Sequence, residues 1–138
     1  MEKGRGYARE LLGCRGLYYP VGIGPFGLSS AAWPDTDEKM EDQYGYTDHM
    51  LDGGNMFWGQ KSNASFGAVN MMMRFYATWD EEYARKIYPY ILGCAEFWED
   101  YLVSRDGKYE SVNDCFFEEW PGRGNDNDVN PTCSLGLI

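Results

Sequence analysis

Glu118 and Glu119 stand side by side between Phe117 and Trp120, inside the stretch VNDCFFEEWPGRGNDNDVNP that runs from Val112 to Pro131. A carboxyl group crowded by large rings loses hydration, which raises its pKa and suits it to donate a proton as a general acid. On an open loop the same two carboxylates stay solvated and do no such chemistry. Further along, Asn125, Asp126, Asn127 and Asp128 offer hard oxygens to a cation. They lack the D-x-[DN]-x-[DN]-G-x5-E frame of a calcium loop, so turn formation is the plainer account and no metal is expected.

Other chemistries have less to build on. Cys14, Cys94, Cys115 and Cys133 show no C-x-x-C spacing, so neither a zinc ribbon nor a dithiol redox motif is present. Two disulfides are formally possible, and nothing in the sequence pairs the four. His49 is the only histidine, so a zinc site or a Ser-His-Asp triad would rest on it alone; in an acidic loop it reads as solvated. The run GIGPFG is rich in glycine but lacks the GK[ST] ending of a phosphate loop. No cofactor is implied.

These residues need a scaffold, and the composition supplies one. The chain has 138 residues, 43% of them apolar and 17% aromatic, which is enough core material for one ordinary domain and too much for a disordered chain. A formal net charge of −10 argues against nucleic acid or an anionic membrane surface as a partner, because neither is attracted to that field. A neutral or cationic ligand fits more easily. The charged start MEKGRGYARE is no signal peptide, and no apolar run approaches the ~20 residues that span a bilayer. A soluble chain is expected, in a compartment the sequence does not specify.

Tyr7, Leu11 and Leu12 are spaced for a short helix that ends at Gly13. From Gly16 to Gly59 glycines, prolines and polar residues recur without a lasting period, yet Tyr18, Tyr19, Phe26, Trp33, Tyr44, Tyr46, Phe57 and Trp58 make the segment aromatic. That is not linker composition, and irregular segments of such length in compact domains are often functional. After Ser62 as N-cap, Phe66, Val69, Met72, Met73, Tyr76 and Trp79 predict a helix to about Ala77 with this stripe in the core. The sequence Thr78-Trp79-Asp80-Glu81 has the form of a capping box for a second helix, whose buried face is Tyr83, Ile87, Tyr90, Ile91, Cys94, Phe97, Trp98, Tyr101 and Leu102. Pro89 should kink or restart that helix, which is expected to stop near Arg105 with Asp106-Gly107 as the turn. Two helices so closely joined form an antiparallel αα-hairpin. Lys108 to Val112 reads as extended, and Pro131 as the start of a further helix with Leu135, Leu137 and Ile138 as its first apolar positions. A helix cut off after about one turn suggests a piece of a longer protein.

From Gly59 to Ile138, a little over half the chain, the sequence resembles the catalytic region of glycoside hydrolases with an (α/α)6 toroid, most closely the fucosidase-type family 95 and more distantly family 65. The resemblance is carried by Tyr76-Ala77-Thr78-Trp79-Asp80, then Tyr88-Pro89-Tyr90-Ile91-Leu92, then Phe97-Trp98-Glu99-Asp100-Tyr101-Leu102, followed by the acidic loop and NPTCSLGLI. It implies a mainly α fold: an αα-hairpin with long aromatic loops, forming part of the toroid. The chain then divides into a short helix and long loops over 1–61, a helical hairpin over 62–105, and an acidic loop with the start of a helix over 106–138.

The family's general acid falls on Glu118, with Glu119 as the alternative register. The family's Ser-Pro-Glu-Asn or Pro-Asp-Glu-Tyr context is replaced here by Phe117-Glu118-Glu119-Trp120. An inverting enzyme also needs a second carboxylate about 6.5–9.5 Å from the acid, and no residue of this segment matches it. Trp58 and Trp120, both in loops, are the candidates for stacking on sugar rings, with Asn63 and Asn113 as further substrate-binding candidates; Trp79 and Trp98 fit helix faces and read as core. The implied function is hydrolysis of an oligosaccharide or glycoside by general acid and base catalysis. The alternatives are a non-catalytic helical carbohydrate-binding or assembly module, or an inactive truncated fragment. Apolar faces left uncovered by an incomplete toroid are expected to drive self-association through Phe66, Met73, Phe97 or Trp98.

Overall fold

The computed structural model describes residues 1–19, 60–112, 114 and 130–138. The fold is mainly helical. Helix α1 spans Glu2–Leu12, α2 spans Asn63–Thr78 and α3 spans Glu81–Tyr101. Two short strands, β1 (Val103–Arg105) and β2 (Lys108–Glu110), and a four-residue helix α4 (Thr132–Leu135) complete the elements. Among the described residues no helix is long and apolar enough to cross a membrane.

Helix α1 ends as its sequence predicts. Gly13 takes the left-handed conformation, and its N–H donates back to the last turn. The buried face is narrower than the spacing of the large residues implied, because Gly4 and Ala8 form it while Leu11 is turned outward. Small residues are needed there: a Cβ at Gly4 would run into the ring of Tyr19.

The segment after α1 passes very close to α3. Leu17 N–H donates to Gly93 O at 2.7 Å, and Tyr18 N–H donates to Gly4 O at 3.2 Å, so the segment is held by both helices. Arg15 is fixed further along α3, its guanidinium reaching Asp100 at 2.6 Å and Glu99 at 2.7 Å. These contacts seat Tyr18 against Phe97, with ring centroids 5.7 Å apart. Ala8, Cys14, Tyr18, Phe97 and Trp98 make one buried cluster, and Leu17, Ala64 and Cys94 make a second.

Helices α2 and α3 meet through residues of opposite size. The face of α2 toward α3 is Ala64, Ser65 and Ala68, which leaves room for large rings. Trp98 Nε1 donates to Ser65 Oγ at 2.8 Å, and Tyr90 OH donates to Ala64 O at 3.0 Å. The first turn of α2 therefore lies beside the second half of α3. This corrects the expected core stripe: Phe66, Met73, Tyr76 and Trp79 are exposed, and only Val69 and Met72 of that set are partly buried. Large side chains on the inner face would have pushed α3 away.

Helix α3 starts with Asp80 as its N-cap, the carboxylate accepting the Tyr83 N–H at 3.0 Å. The expected capping box on Thr78 does not form, because the Thr78 hydroxyl donates to Arg74 O at 2.9 Å and closes α2 instead. Pro89 lies inside α3 without dividing it; the ring points outward, and the buried residues Cys94, Phe97 and Trp98 hold the helix on its other face. The helix stops at Tyr101 rather than Arg105, since Val103–Arg105 pairs antiparallel with Lys108–Glu110. Asp106 and Gly107 both have positive φ, 51° and 73°, as the tight turn between twisted strands requires.

Candidate functional site

One end of the helix pair gathers buried polar groups. Lys61, Ser111 and Asp114 are each fully buried, at 0% exposure, although none is apolar. Such groups persist in a protein interior only when their hydrogen bonds are made. Asp114 meets that requirement with both oxygens: Oδ1 accepts the Lys61 N–H at 3.0 Å and Oδ2 accepts the Ser111 hydroxyl at 3.0 Å. The Lys61 ammonium lies 5.6 Å from the centre of the Tyr101 ring, over its electron-rich face.

Ser111 and Asn130 then close a clasp across 19 positions of sequence. The Ser111 N–H donates to Asn130 Oδ1 at 2.9 Å, and the Asn130 N–H donates to Ser111 O at 2.8 Å. Asn130 takes φ 55°, a left-handed conformation that asparagine tolerates better than most residues. Tyr101 OH adds a bond to Val112 O at 2.7 Å. The last residue of α3 is thereby tied to the same structure.

The elements explain why these residues meet. The β1–β2 turn reverses the chain after α3 and returns Ser111 toward the helix ends, while Lys61 immediately precedes the first turn of α2. Asn63, a predicted substrate-binding residue, sits in that first turn and donates from Nδ2 to Tyr19 O at 3.3 Å. Its amide braces the segment after α1. Glu118, Glu119, Trp58, Trp120 and Asn113 lie outside the described residues, as do His49, Cys115 and the run Asn125 to Asp128. Trp98 is core as expected, whereas Trp79, also read as core, is exposed.

Electrostatics separate inert groups from paired ones. Burial pushes the Cys94 thiol up to about 11 and the Tyr90 phenol up to about 12, so neither supplies an anion near neutral pH. Cys14 is raised as well, chiefly by burial. The Arg15 hydrogen bonds hold the Asp100 carboxyl down at about 2. Cys14, Cys94 and Cys133 are free thiols. Among the described residues no group of three His, Cys, Asp or Glu is placed to hold a metal ion.

The sequence reading missed Lys61, Ser111, Asp114 and Asn130. Asn130 carried a signal, since Asn-Pro marks a turn. Lys61 and Asp114 carried none, because a lysine and an aspartate in polar stretches are ordinarily solvated. No family model matches the chain, and no match is found among curated proteins or solved structures.

Proposed function

We propose that the chain is a carbohydrate-active segment of a glycoside hydrolase that cleaves a glycosidic bond by general acid and base catalysis. In this reading α2 and α3 are one hairpin of an (α/α)6 toroid, and Glu118 protonates the leaving oxygen, with Glu119 as the alternative register. The supporting observation is the clasp. Ser111, Asp114 and Asn130 fix the chain on both sides of the acidic stretch, and a general acid needs a rigidly held frame to keep its geometry. Asp114 does not serve as the second carboxylate, because both its oxygens are engaged and none of its surface is open to water.

The test uses the natural full-length protein. Glu118→Gln should slow hydrolysis of glycosides with poor leaving groups by ~100-fold or more, the usual contribution of a general acid, while sparing substrates with activated aryl leaving groups. Glu119→Gln should have the smaller effect. Near-wild-type rates for both variants on a natural glycoside would remove the catalytic assignment.

A second reading, a non-catalytic assembly module, is favoured by one observation. Phe66 and Met73 present bare apolar surface on α2, as do Tyr88 and Leu92 on α3. Phe97 and Trp98, also expected to drive association, are buried within the chain and offer none. Sedimentation of Phe66→Ser/Met73→Ser against wild type separates the readings: this one requires an assembly that the double variant dissolves.

A further inference from the structure

We draw no further inference here: the strongest candidate, the exposed patch of Tyr76 and Trp79 at the turn between α2 and α3, sets its two rings 79° apart rather than on one face, and nothing in the structure shows what covers it.

Discussion

Replacing Asp114 by alanine should be among the most damaging single changes in the described part of the chain, and the size of the effect can be worked out from its contacts. The substitution leaves the Lys61 N–H and the Ser111 hydroxyl without their acceptor in a place closed to water. Hydrogen bonds to a charged group contribute about 1.5–3 kcal/mol each. Two bonds to one carboxylate do not add fully, so a loss of about 3–5 kcal/mol is expected. Asp114→Asn should cost less, about 1–2 kcal/mol. The amide oxygen still accepts the Lys61 N–H, and the Ser111 hydroxyl can rotate to accept from the amide nitrogen. At about 3 °C per kcal/mol for a domain of this size, alanine should lower Tm by roughly 10 °C and asparagine by roughly 4 °C. Urea melts of the three proteins measure the differences directly, provided the m-value is unchanged. If both variants lay within ~0.5 kcal/mol of wild type, a typical surface effect, the cluster would not be holding this end of the helix pair.

Gly16 and Gly107 share a left-handed φ, 75° and 73°, but a Cβ at Gly16 would strike Gly93 O and Phe97 N while one at Gly107 meets nothing within 4 Å. Gly107→Ala should therefore cost ~1 kcal/mol from backbone strain alone, and Gly16→Ala about 2–4 kcal/mol once overpacking is added; equal losses in denaturant melts would refute the close approach. Asp80→Ala should cost ~1 kcal/mol through the lost cap, and Thr78→Ser, which keeps the hydroxyl bond to Arg74, should cost less. Because the folded Asp100 carboxyl titrates at about 2, below its ordinary 3.8, its contribution to stability is complete above about pH 5 and lost as pH falls through 2. Carboxyl chemical shifts should show that midpoint, and Arg15→Ala should move it upward.

The helices were legible because their signals are local. Gly13 ends α1, the acidic start after Trp79 opens α3, and Asp106-Gly107 makes the tight turn, all within a few residues of chain. The inner face of α2 was not legible, since periodicity marks large apolar residues as core and here Ala64, Ser65 and Ala68 do that work. Only knowing that Trp98 and Tyr90 arrive from α3 explains why small residues face inward. The Asp114 cluster was hidden for a related reason. Lys61 and Asp114 are 53 positions apart, and nothing in either neighbourhood announces the other.

The reciprocal bonds between Ser111 and Asn130 also bear on how freely this protein can change. Ser111 and Asn130 are tied to one point, and a flexible insert that doubled a loop so closed would add just ~0.6 kcal/mol of closure entropy. Val112 and Asp114 lie between the two ties and bond to Tyr101 and Lys61, so they belong with the clasp and not with what can be exchanged. Descendants of this chain, or a laboratory library, that keep Ser111, Asp114 and Asn130 keep the tie between positions 111 and 130. The clasp marks the positions at which variation in this stretch has to stop.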